Sequence, residues 1–132
     1  MSKYFLKEQE RYLCELVSSI DGEAKNIECQ MKPISRARQL RMSEYESEYA
    51  VKIVGISDGK LDKWRDGEEL PEDIEAVSKA IHDATAEYHF ALANEMFEWT
   101  KEKPTVDFFK SEDFEHVYFL ACVDFFLEKR KA

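Results

Sequence analysis

Glycine is scarce in this chain of 132 residues, with four in all, and that leaves no loop able to cradle a phosphate. Base is short as well: 19 Lys and Arg against 28 Asp and Glu give a net charge of −9, which argues against direct nucleic-acid binding. The three cysteines, Cys14, Cys29 and Cys122, are odd in number, widely spaced and set among apolar neighbours. That pattern fits buried thiols in a reducing compartment rather than a disulfide frame or a metal site, and no basic neighbour in the sequence would lower a thiol pKa. His-Glu-x-x-His and Gly-x-Ser-x-Gly are both missing. His82 and His89 share a helix face seven residues apart but lack a ligand set, and Glu44, Glu46 and Glu48 alternate, which fans them around a helix axis. The expectation is a chain that is not an enzyme, with no cofactor and no metal.

Long apolar runs are absent too. Phe119 to Phe126 is interrupted by Asp124 and is far shorter than the roughly 20 residues a membrane span needs. The first residues run quickly into charge, so no signal peptide is expected, and the protein is expected to be cytoplasmic, without a membrane partner.

Phenylalanine is what the chain has in quantity, and six of its nine fall between Phe108 and Leu127. This stretch reads as one helix with its lead-in, apolar nearly all the way round. Phe114, Val117, Tyr118, Ala121, Cys122 and Phe125 form one stripe, expected to be core. The opposite stripe, Phe119, Val123 and Phe126, is expected to bind a protein partner or a second copy, because a small domain can rarely bury both faces of such a helix.

Length sets a single domain, residues 1–132. Periodicity predicts a mainly α fold of about four helices with one short strand or ribbon near residues 26–32, about 60–70% helical. The first helix spans Lys3 to Ser19, with Leu13, Leu16, Val17 and Ile20 on or near one side, and Asp21-Gly22 supplies a turn. From Asn26 to Lys32, Ile27, Cys29 and Met31 alternate with polar residues until Pro33 closes the strand. Ser35 is the predicted N-cap of the second helix, with Ser43 and Glu46 offering a later capping-box start. Residues 50–56 are β-branched and read either as a strand paired with 27–32 or as helix to about Val54, the latter favoured because a lone two-stranded ribbon is weak. A loop with Trp64 as anchor follows, then a third helix from Pro71 with the stripe Ile74, Val77, Ile81, Ala84, Tyr88, Leu92, Met96 and Trp99. Ser111, Glu112 and Asp113 start the last helix, which ends on the cations of residues 129–131.

Two charge clusters stand out. Lys32, Arg36, Arg38 and Arg41 make a basic patch, with Arg36, Arg38 and Arg41 as candidate partner-binding residues. Asp66, Glu68, Glu69, Glu72, Asp73 and Glu75 make an acidic run. Opposed patches can align copies of a chain or steer a partner; the alternative is that both are solvated faces.

The alternating segment Ile27 to Ile34, passing through Pro33 into Ser35 to Leu40, the Gly-containing loop Gly55 to Asp73, the long helix Ile74 to Trp99 and the closing segment Thr105 to Phe114 together resemble the tail assembly chaperones of long-tailed bacteriophages. The resemblance covers about three quarters of the chain and rests on pattern, without a diagnostic motif; residues 3–19 depart from it. It implies a non-enzymatic, oligomer-forming chaperone that coats a tape-measure protein and recruits tail-tube subunits. The competing expectation is an acidic inhibitor that mimics nucleic acid and blocks a host defence or DNA-handling protein.

Overall fold

The computed structural model describes residues 12–57 and 74–128. Its first element is a strand. β1 (Leu13–Ile20) and β2 (Glu23–Met31) form an antiparallel hairpin in which Leu16 pairs with Ile27 and Ile20 with Glu23. Asp21 and Gly22 close it with φ of 53° and 83°, the doubly left-handed geometry of a two-residue turn whose twist matches that of its strands. The helix expected over residues 3–19 is therefore overturned from Leu13 onward, and its earlier part lies outside the described residues. Leu13, Leu16, Val17 and Ile20 satisfy a helical period, but Cys14, Leu16 and Ser18 satisfy the strand period and are the ones buried. Ser18 conceals the alternation because it is polar. Its hydroxyl is buried at no cost in unpaired groups, donating to the Phe108 carbonyl at 2.6 Å.

The alternation over residues 26–32 lies within β2, with Ile27, Cys29 and Met31 all buried. Its partners are β1 and a third strand, β3 (Phe97–Trp99), in the order β1-β2-β3. The fold is α+β with a real sheet, not mainly α with one ribbon. Residues 50–56 do not pair with it. They belong to α1 (Arg36–Ser57), whose start is capped as expected, the Arg38 amide donating to the Ser35 hydroxyl at 3.3 Å.

The third predicted helix is α2 (Ile74–Met96), and it ends one turn early. Phe97 leaves it to pair with Met31, while the Lys32 amide donates to the Met96 carbonyl at 2.6 Å. α1 lies antiparallel against α2, joined by Arg41 to Glu95, Tyr49 to Thr85 and Lys52 to Glu87. A single-turn helix, α3 (Val106–Lys110), follows, then a turn at 111–113, and α4 (His116–Glu128) closes the described chain. Pro71, Trp64, most of the acidic run and the terminal cations fall outside the described residues.

One aromatic core joins these layers. Phe97, Phe108, Phe109, Phe114 and Phe119 are almost fully enclosed and meet edge-on or tilted, with Phe109 and Phe114 centroids 5.0 Å apart. Edge-to-face packing places the positive rim of one ring on the negative face of the next, adding to the gain from burial. The inner face of the sheet packs on this cluster, as do Leu92, Ala93 and Met96 of α2 and Val123 and Phe126 of α4.

Candidate functional site

α4 presents two faces, and the structure reverses their expected roles. Phe119 and Phe126 are fully buried and Val123 nearly so, placing all three in the core rather than on a partner surface. In the stripe expected to be core, Phe114 and Cys122 are indeed buried. Val117, however, is 86% exposed, Tyr118 37%, and Ala121 is also on the outside. Leu120, at 44%, extends this outward face. The charges give the direction: Val117, Ala121, Asp124 and Glu128 lie at i, i+4, i+7 and i+11, so two carboxylates share a stripe with the valine.

This face adjoins the start of β1. The Tyr12 ring meets Phe125 edge-on at 5.0 Å, and the Tyr118 hydroxyl accepts from the Glu15 backbone amide. Further along, the Glu115 amide donates to the Val17 carbonyl at 3.0 Å. α4 and its lead-in thereby satisfy outward-facing groups of an edge strand that would otherwise invite pairing with another chain. Of eight exposed large apolar side chains among the described residues, three, Val117, Tyr118 and Leu120, are on α4, and a fourth, Tyr12, lies against its Phe125.

Beneath Tyr118 lies a thiol cluster. Cys14 and Cys29 are directly opposed across β1 and β2, and the Cys29 thiol donates to the Cys14 carbonyl at 3.7 Å. The Cys14 thiol donates to the Tyr12 carbonyl at 3.9 Å, with Cys122 and Tyr118 beside it. Cys122, aided by Tyr118 and opposed by burial, lowers the Cys14 pKa to about 7. Cys122 itself moves up, through Cys14 and its burial, and burial pushes Cys29 up to about 12. The groups that lower Cys14 are a thiol and a phenol, not basic side chains.

The basic patch is largely engaged within the chain. Arg41 forms an ion pair with both oxygens of Glu95, whose side chain is 10% exposed. Arg38 donates to the Pro33 carbonyl at 3.0 Å and lies 3.8 Å from Glu95, and Lys32 donates to the Asn94 carbonyl at 2.9 Å. Arg36 is exposed. These residues tie the start of α1 to the end of α2.

His89 is buried among Tyr88, Phe114, His116 and Phe119, and its Nδ1 has no hydrogen-bond partner. Burial, with His116 beside it, lowers its pKa to about 4, so it is neutral at ordinary pH. His82 faces the Lys110 carbonyl instead, so the two histidines that share a helix do not share a site. Among the described residues no group of three His, Cys, Asp or Glu side chains could hold a metal ion. A groove of about 180 Å³ between α1 and α2, lined by Tyr45, Tyr49, Lys52, Glu87 and Tyr88, is smaller than the roughly 300 Å³ at which ligand pockets begin. Its Tyr49 and Tyr88 rings stack at 4.5 Å.

No helix among the described residues is long and apolar enough to cross a membrane. Comparisons with protein-family models, with curated proteins and with solved structures find no match for this chain.

Proposed function

We propose that this chain is a non-enzymatic protein-binding module that docks other protein, including further copies of itself, on the outward face of α4 and the adjoining start of β1. The observation that carries the reading is the exposure of Val117 and Leu120, three residues apart on the outward side of α4, with Tyr118 partly exposed on the flank toward Tyr12. Each aliphatic side chain removed from water in a contact contributes about 1.5–3 kcal/mol. The resemblance to phage tail assembly chaperones gives this proposal its specific form, a client that is a long structural protein. The strand, proline and charged helix that carry that resemblance are β2, Pro33 and α1.

Sedimentation velocity over a range of concentrations tests it. The intact chain should sediment as more than a monomer, and the double substitution of Val117→Glu and Leu120→Glu should return it to a monomer with an unchanged near-ultraviolet spectrum. A chain that is monomeric at every concentration removes self-association from the proposal.

A second reading, an acidic inhibitor that blocks a nucleic-acid-binding protein, is favoured by one feature of the sheet. On its outer face Glu15 stands directly opposite Glu28, and Glu98 opposite Gln30. Like charges directly opposed are destabilising, so the arrangement asks for a use. Binding by this face would fade as salt rises, whereas docking through α4 would persist.

A further inference from the structure

The groove between α1 and α2 is used by neither reading. It arises where small residues of one helix face rings of the other: Ala84, Tyr88 and Ala91 recur at i, i+4 and i+7 along α2, and Tyr45 and Tyr49 stand one turn apart on α1. The alanines leave the space and the tyrosines wall it. Tyr49 and Tyr88 stack with centroids 4.5 Å apart and 7° between their planes, and the Tyr49 and Thr85 hydroxyls are hydrogen-bonded at 2.8 Å, so both rings are held in place. At the rim are Glu48, Lys52 and Glu87, all exposed. Lys52 donates to Glu87 at 2.7 Å and lies one helical turn from Glu48, so a single ammonium serves two carboxylates. Burial, then Glu46 and Tyr49, hold the Tyr88 hydroxyl above the ordinary tyrosine pKa, which places a further carboxylate near the rings.

We propose that this groove binds a small quaternary ammonium compound of the choline class, its methylated head against the rings of Tyr45, Tyr49 and Tyr88 and its charge answered by Glu48 and Glu87. The faces of aromatic rings are their negative part, so three phenol side chains around one space attract a cation. The surplus carboxylate points the same way, since one lysine leaves the rim net negative. A space of about 180 Å³ is too small for a drug-sized ligand and suits a compact head. A quaternary head carries no N–H, which fits walls of ring and methyl carbon, whereas a primary ammonium would give up water there with the Tyr49 hydroxyl already engaged by Thr85. The lining side chains that are fully exposed are charged, with no apolar strip on which a peptide could lie, so the ligand is a free small molecule. Lys52 competes for the same carboxylates, but its pair with Glu87 has both side chains 55% exposed, and such a pair is readily displaced.

Titration of the intact chain with choline chloride at constant ionic strength, followed through the tyrosine ring resonances by nuclear magnetic resonance, tests the assignment. Choline should move the resonances of Tyr45, Tyr49 and Tyr88 and saturate in the millimolar range, and its neutral isostere, in which a tert-butyl group replaces the trimethylammonium, should bind roughly tenfold more weakly. Lys52→Ala removes the competing ammonium from an exposed position without touching a ring, and should tighten choline binding several-fold, the opposite of what a merely disturbed groove would do. Glu48→Gln should weaken it several-fold, and Tyr45→Leu by more. The double substitution of Val117→Glu and Leu120→Glu should leave choline binding unchanged, so this proposal and docking on α4 fail separately. Tyrosine resonances unmoved by millimolar choline, equal binding of the neutral isostere, or a Lys52→Ala chain that binds choline no better would overturn the assignment, as would a trimethyllysine peptide that binds more tightly than choline.

Discussion

His89 carries its conditions in its surroundings. Folding places it neutral among aromatic rings with an unpaired Nδ1, so its pKa falls from 6.5 to about 4. A depressed histidine pKa means that the unfolded chain binds the proton first as pH drops. Stability is therefore full above about pH 6.5 and is lost progressively down to about pH 4, by an amount on the order of 3 kcal/mol. His89→Phe should flatten the melting temperature between these limits, and an unchanged slope would show that other groups set the acid limit. Core and surface on α4 can be separated just as directly. Phe119→Ala or Phe126→Ala should cost about 3–5 kcal/mol in denaturant unfolding, and Val117→Ala should stay within about 0.5 kcal/mol. Which face turns inward was legible from Asp124 and Glu128 rather than from the aromatics, since phenylalanine count alone does not orient a helix that is apolar all round.

At the scale of elements, periods compete. Over residues 13–20 the apolar set fits both 3.6 and 2, and tertiary partners decide: Ser18 finds the Phe108 carbonyl and Val17 finds the Glu115 amide. A turn of Asp and Gly between two alternating segments was the readable sign of a hairpin, hidden by one buried serine. β3 left less trace, because Trp99 continues the helical stripe of α2 and only pairing with β2 draws Phe97–Trp99 out of it. Where signals are local they hold: Ser35 caps α1, and Ser35→Ala should cost about 1 kcal/mol. Helix makes up 62% of the described residues and strand 20%, so the fold class differs from the mainly α expectation. β1 takes residues 13–19 from the helix expected there, a change that bulk helix content by circular dichroism does not locate. Hydrogen exchange does, through protected β1 and β2 amides across the hairpin.

Over the whole molecule the surplus of negative charge is unevenly spent. The arginines that sequence alone offered to a partner are held by a nearly buried carboxylate, so reversing Arg38 and Arg41 to glutamate would oppose Glu95 and loosen α1 from α2, confounding any test of binding. Arg36 alone could be reversed without that cost. The outer sheet face offers a cleaner test of what the charge is for. Glu28 faces Glu15 across β1 and β2, so Glu28→Lys turns a repulsive pair into an attractive one and should raise stability by about 0.2–1 kcal/mol. If α4 is the docking surface, the same substitution leaves assembly unchanged at low and high salt, because the charge lies on the opposite face of the sheet from the core that α4 packs on. If the acidic face is the working surface, Glu28→Lys yields a more stable protein that no longer holds a basic target at low ionic strength. Stability measured beside assembly and binding thus separates the two readings in one variant, and a variant that loses stability would show that Glu28 serves the fold in a way its position opposite Glu15 does not reveal.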